Sequence, residues 1–126
     1  MILADTSIWI DHLRRGSREL QARLNLGQIA MHPFIAAEIA LGSMHERRKR
    51  LDELDALDQV KVGQLAEVRH MIEARSLYSK GLGLIDAHLL LSCLLTPGTQ
   101  LWTRDNAMEK GAGDLGIPIY VPTLTP

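Results

Sequence analysis

Cysteine is almost missing from this chain of 126 residues. The single Cys93 excludes an intramolecular disulfide and a cysteine-based zinc centre. Its place in an apolar run predicts a buried, inert thiol. Aromatic residues are scarce as well, at 4%, so the core must be built from Leu, Ile, Val, Ala and Met. Neither sign of charge dominates. Fourteen Lys and Arg against fifteen Asp and Glu leave −1, which excludes a polybasic tail and indiscriminate nucleic-acid binding but not a local site. A long hydrophobic run is also lacking. The longest uncharged stretch, Ala87 to Thr103, is interrupted by Pro97 and Gly98 and falls short of the roughly 20 apolar residues of a membrane span. Asp5 stands where a signal segment would be apolar, so the expected location is cytoplasmic.

What remains is the composition of one globular domain over residues 1–126, 46% hydrophobic and without repeats or low-complexity segments. Short apolar runs alternate with helical ones. Strands are expected at Ile2–Ala4, Gln28–Met31, Val60–Val62, Gln100–Trp102 and Ile117–Val121. Helices are expected at Ile8–Arg15, from Ser17 to near Gly27, from Pro33 to about Leu41, and at His45–Leu57, Leu65–Tyr78 and Ile85–Leu95. Thr6 and Ser7 are candidate caps for the first helix, and Thr103–Asn106 reads as a polar turn. Strands separated by helices predict an α/β domain with a mainly parallel sheet, whose sites lie at the carboxyl ends of strands.

Four carboxylates occupy odd places. Asp5 directly follows Ile2-Leu3-Ala4, and Glu38 interrupts the apolar run Phe34 to Leu41. Asp86 opens the apolar helix, and Asp105 follows Leu101-Trp102-Thr103 after one arginine. A carboxylate beside the core must be hydrogen-bonded, paired with a cation or bound to a metal, and several in one pocket repel one another. A hard divalent cation with oxygen ligands resolves both problems; Mg²⁺ or Mn²⁺ fits, and such an ion can activate water and offset charge on a phosphodiester. Each acid taken singly is explained as well by a bland role. Asp5 and Asp86 can be helix caps, Asp105 an ordinary turn residue, and Glu38 a lone acid on a narrow polar stripe. Only the four together favour a site.

The segments Ile2-Leu3-Ala4-Asp5-Thr6-Ser7-Ile8-Trp9-Ile10-Asp11, Ile35-Ala36-Ala37-Glu38-Ile39-Ala40-Leu41-Gly42, Gly83-Leu84-Ile85-Asp86-Ala87-His88-Leu89-Leu90 and Leu101-Trp102-Thr103-Arg104-Asp105 resemble, in order, the four motifs of the PIN-domain ribonucleases. Among these, the chain is similar to the VapC-type toxins of bacterial toxin–antitoxin pairs. The resemblance implies a three-layer α/β/α sandwich and Mg²⁺-dependent cleavage of RNA, with Mn²⁺ able to substitute and one or two ions bound. It makes Asp5, Glu38, Asp86 and Asp105 the catalytic and metal-holding quartet, Asp5 and Asp86 most directly. Thr6, Ser7 and Thr103 become hydroxyls that orient carboxylates or water. It further implies a homodimer and an inhibitory antitoxin, commonly one that pushes an arginine into the acidic pocket. His88 departs from the family's small or aliphatic residue and reads as packing, since imidazole softens a hard-oxygen site.

Arg14 and Arg15, and Arg47 and Arg48 within the basic run Arg47-Arg48-Lys49-Arg50, are candidate RNA contacts. For the basic run, a solvated helix face carrying the i,i+4 pairs Glu46–Arg50, Arg48–Asp52 and Lys49–Glu53 is the stronger reading. Asp11 and Asp114 read as surface residues, and Trp9 and Trp102 as core or dimer contacts. Two other functions compete: an aspartyl-phosphate or receiver domain with Asp5 as nucleophile or ligand, which lacks a convincing lysine after a strand, and a non-catalytic binding module that keeps only the fold.

Overall fold

A computed structural model describes residues 1–124. Four strands, β1 (Ile2–Ala4), β2 (Ile29–Met31), β3 (Asp58–Gln59) and β4 (Gln100–Trp102), form one sheet in the order β3-β2-β1-β4. Every pairing is parallel, with Ile2 opposite both Ile29 and Gln100. All carboxyl ends therefore lie on one edge, which presents Asp5, His32 and Thr103. Seven helices flank the sheet: α1 (Thr6–Arg15), α2 (Arg18–Asn25), α3 (Pro33–Ala40), α4 (Arg47–Asp55), α5 (Leu65–Ala74), α6 (Leu84–Leu95) and α7 (Asn106–Asp114). This is the parallel α/β sheet that the alternation of elements predicts, in the α/β/α sandwich that the family resemblance implies.

The core is aliphatic. Leu3, Leu20, Met31, Ile35, Val68, Leu89, Leu90, Leu101 and Met108 are completely or almost completely buried. Trp9 and Trp102 join them, so both tryptophans are core residues. Cys93 is buried on α6, and burial pushes its thiol up to about 12, which keeps it protonated and inert at neutral pH.

Several element boundaries differ from the sequence reading, each for a local reason. The cap of α1 is Asp5, whose side chain accepts from the Ile8 N–H; neither Thr6 nor Ser7 caps it. The helix stops at Gly16, where φ is 77°. The strand expected at Val60–Val62 lies two residues earlier. Exposed Asp58 and Gln59 pair with β2, and only the Val60 N–H follows, to Met31 O at 3.0 Å. Polar residues suit this edge strand, whose outer side is unpaired. Helix α5 ends at Ala74, closed by the Leu77 N–H on Ile72 O at 2.9 Å.

Helix α7 begins at the last residue of the turn expected at Thr103–Asn106 and runs on where no helix was expected. It is hidden in the sequence by Gly111 and Gly113, which are poor helix formers. Gly111 sits in tight packing: a β-carbon there would lie 3.1 Å from Leu90 Cδ1 and 3.3 Å from Leu82 Cδ1, so these side chains would have to shift. The last strand expected, Ile117–Val121, contributes only a bridge between Ile119 and Leu101. The Leu101 N–H reaches Pro118 O at 2.9 Å and the Tyr120 N–H reaches Leu101 O at 2.8 Å. Pro118 and Pro122 have no N–H to extend the ladder.

Candidate active site

The site is built on the carboxyl edge of the sheet. Strand β1 delivers Asp5 into a buried position, held further by its own N–H on Trp102 O at 3.0 Å. Its Oδ1 accepts from Ser7 Oγ at 2.9 Å and from the Ile8 N–H at 3.4 Å. Its Oδ2 accepts from the hydroxyl of Thr103, at the end of β4. Thr103 Oγ1 in turn accepts the Asp105 N–H at 3.1 Å. On the other side, Thr6 Oγ1 donates to Glu38 Oε1 at 2.5 Å, joining the first turn of α1 to α3. The hydroxyls of Thr6 and Thr103 thus bind together elements far apart in sequence, while that of Ser7 holds Asp5 locally.

Asp105 caps α7, its Oδ1 accepting from the Met108 N–H at 2.9 Å. Asp86 sits in the first turn of α6, with Oδ2 on the Gly83 N–H at 3.0 Å. Helix α6 reaches the same edge of the sheet. The His88 ring packs on Phe34 at 4.7 Å between centroids, and Phe34 follows His32 at the end of β2. His88 is buried, in agreement with a packing role.

The four acids are not the single buried cluster that their apolar neighbours suggest. Asp5 is buried, Glu38 and Asp86 are half-buried, and Asp105 is exposed. Among the described residues, no three His, Cys, Asp or Glu side chains converge closely enough to form a ready-made cage for an ion. The donor chemistry nevertheless fits a hard cation. Every donor is an oxygen, and none of the four carboxylates has a Lys, Arg or His partner within ion-pair distance among the described residues. Glu38 Oε2, Asp86 Oδ1 and Asp105 Oδ2 accept no hydrogen bond from those residues. Mg²⁺ binds through one or two carboxylates and keeps its waters, so it does not require an all-protein cage.

The candidate RNA contacts separate. Arg14 and Arg48 are exposed. Arg15 Nη2 lies 3.0 Å from Asp11 Oδ1. Arg47 is taken up structurally: its guanidinium donates to Ala40 O at 2.6 Å and Gly42 O at 3.0 Å, closing the end of α3. The i,i+4 pairs expected on α4 are replaced by Glu46–Lys49 at 3.8 Å, because Glu46 has left-handed backbone (φ 50°) and lies outside the helix.

Two residues escaped the sequence reading. His32 caps α3 by accepting the Phe34 N–H on Nδ1 at 2.9 Å; the only cue was its place before Pro33. Arg104 binds Asp11 Oδ2 at 2.6 Å, 93 positions away, for which no local signal exists.

The PIN-domain family model matches residues 2–114. This chain belongs to the PIN-domain family. Within it, the PIN domain described here is similar to Ribonuclease VapC32 of Mycobacterium tuberculosis, in strain CDC 1551 / Oshkosh and in strain ATCC 25618 / H37Rv. Each is 40% identical over 119 residues, covering 94% of this chain and 96% of the relative. The PIN match extends through α7, the helix that carries its cap at Asp105.

Proposed function

We propose that this PIN domain is a divalent-metal-dependent endoribonuclease, the toxin of a toxin–antitoxin pair. The carrying observation is the hydroxyl-bonded assembly of Asp5, Glu38 and Thr103–Asp105 at the carboxyl edge of the sheet, without a cationic partner for any of its carboxylates. The ribonuclease name of the VapC32 relatives supports the same reading. Asp5 and Asp86 would hold Mg²⁺ or Mn²⁺ most directly, with Glu38 and Asp105 completing the set as catalytic carboxylates. When bound, one or two such ions supply activation of water and neutralisation of charge on the phosphodiester.

The chain's own residues supply position. The Thr103 and Ser7 hydroxyls fix the two oxygens of Asp5, and Thr6 orients Glu38. Such supporting hydrogen bonds orient the carboxylates that would hold the ion. Neither His nor Lys is needed as general base, and no described lysine pairs with Asp5, which disfavours aspartyl-phosphate chemistry. The partners of this reading are an RNA substrate, an antitoxin whose arginine enters the acidic pocket, and a second copy of the chain. No described helix is long and apolar enough to cross a membrane, and the cytoplasm is the proposed location.

The test is incubation of the purified protein with a total RNA pool, with Mn²⁺ and with EDTA. Cleavage giving 5′-phosphate and 3′-hydroxyl ends, lost with EDTA and in Asp5→Asn, is expected. Cleavage that survives both treatments overturns the reading.

A further inference from the structure

A groove of about 900 Å³ opens beside Thr103, bounded by α1, the turn into α2 and the segment after Ile119. We propose that Asp11 holds Arg15 and Arg104 as a paired guanidinium clamp that binds backbone phosphates of single-stranded RNA beside the scissile bond, with this groove as the path of the strand. This proposal rests on the ribonuclease reading above.

The clamp is adjacent to the acids through the chain itself. Arg104 stands between Thr103, which is bonded to Asp5, and Asp105. Its Nη2 lies 2.6 Å from Asp11 Oδ2, while Arg15 Nη2 lies 3.0 Å from Asp11 Oδ1. One carboxylate thus bridges two guanidiniums and leaves an excess of positive charge. The arginine side chains are 59% and 77% exposed, so their remaining N–H groups face solvent and the groove. Exposed ion pairs contribute little to stability. Fixing two planar forks before a ligand arrives, in contrast, lowers the entropy lost on binding phosphate.

The rest of the groove agrees with a nucleic-acid strand. Arg18 and Glu109 also line it and offset each other, so the net positive charge of the groove is that of the clamp. Glu19, which also lines it, is buried, satisfied by the Thr123 and Leu124 N–H groups and offset by Arg23 at 3.9 Å. Ile119 and Val121 offer apolar surface to riboses and bases. The same arrangement keeps phosphates near, but not on, the carboxylates that would repel them without a cation.

The experiment measures binding of a fluorescent 12-nucleotide single-stranded RNA to the cleavage-dead Asp5→Asn protein across a range of KCl. Adding Arg104→Ala should weaken binding about tenfold and reduce the salt slope by about 0.7 for the lost phosphate contact. Arg69→Ala, on α5, should leave both unchanged. Asp11→Asn should weaken binding although it adds positive charge; tighter binding would show that the arginines act only through a diffuse field, and would overturn the clamp. In the otherwise wild-type enzyme, Arg104→Ala should raise KM with kcat within about twofold, and Arg104→Lys should fall between the two. Unchanged affinity and salt slope in Arg104→Ala overturn the proposal. So does Arg104-dependent binding of a poly-glutamate peptide with RNA binding unaffected, which would make the groove a protein-docking surface. Wild-type protein that cleaves no RNA would instead remove the ribonuclease reading itself.

Discussion

The hydroxyl of Thr103 donates to Oδ2 of Asp5 across 98 positions of sequence. Thr103 Oγ1 also accepts the Asp105 N–H, so one small side chain ties the ends of β1 and β4 to the cap of α7. Thr103→Val keeps the shape and removes the hydroxyl. The buried carboxylate then loses a donor and the Asp105 N–H an acceptor, a cost of about 1–3 kcal/mol by chemical denaturation. Mn²⁺ affinity measured by calorimetry should fall by about 10–100-fold, the usual consequence of losing such a support. Thr103→Ser should restore most of both. Full Mn²⁺ affinity in Thr103→Val would remove Thr103 from the site.

Asp5 has two duties that substitution can separate. Asn is as good a helix cap as Asp, so Asp5→Asn should retain the bond from the Ile8 N–H and change metal-free stability by less than about 1 kcal/mol. Asp5→Ala should cost about 1–2 kcal/mol through loss of the cap. Both should abolish RNA cleavage. A large fall in the melting temperature of Asp5→Asn would mark the charge itself as structural. Glu38→Gln and Asp86→Asn should also abolish cleavage, and their losses should not add to that of Asp5→Asn, because residues acting as a unit fail together.

Acid should destabilise the protein first through His32. Burial, with a smaller contribution from the neighbouring His88, lowers this fully buried imidazole from 6.5 to about 4. The unfolded chain therefore binds the proton first. Stability should be complete above about pH 6.5, decline as pH falls toward about 4 and lose about 3 kcal/mol over that window. His32→Asn keeps an acceptor for the Phe34 N–H and has no titratable ring. Urea midpoints of His32→Asn should show a smaller slope between pH 6.5 and 4, part of the remainder belonging to His12, which burial also lowers; an undiminished slope would assign the transition to another group.

A second acid transition belongs to Glu19. Burial pushes its carboxyl up, but bonds from the Tyr120 hydroxyl and the Thr123 and Leu124 N–H groups, with the charge of Arg23, outweigh burial and hold it below 4.5. Its stabilisation is present above the unfolded value and is lost as pH falls through the lower folded value. Glu19→Ala should cost on the order of 2 kcal/mol, because it strands the donors of the 120–124 segment. Hydrogen exchange should rise at Thr123 and Leu124 before it rises in the sheet. Unchanged protection there would show that Glu19 does not fasten the segment.

Local chemistry made much of the molecule legible. Ile2–Ala4, Ile29–Met31 and Gln100–Trp102 are short apolar runs between polar breaks, and Pro33, Gly16 and Ser17 mark helix ends by backbone geometry alone. The same logic placed Asp5 and Asp105 at strand ends and Glu38 and Asp86 on helices. It failed where burial outweighed propensity. Helix α7 carries Gly111 where Leu82 and Leu90 approach closely, and β3 is polar because it is an edge.

The sequence by itself determined the alternation of elements, the aliphatic core and the four acids, since each depends on residues within a few positions of one another. Only the tertiary structure decided which oxygens receive hydroxyls, that Arg47 closes α3 while Arg15 and Arg104 share Asp11, and that Glu19 fastens a segment about a hundred positions away. Those contacts follow from parallel strand order, which brings distant carboxyl ends to one edge, and no local pattern encodes that meeting.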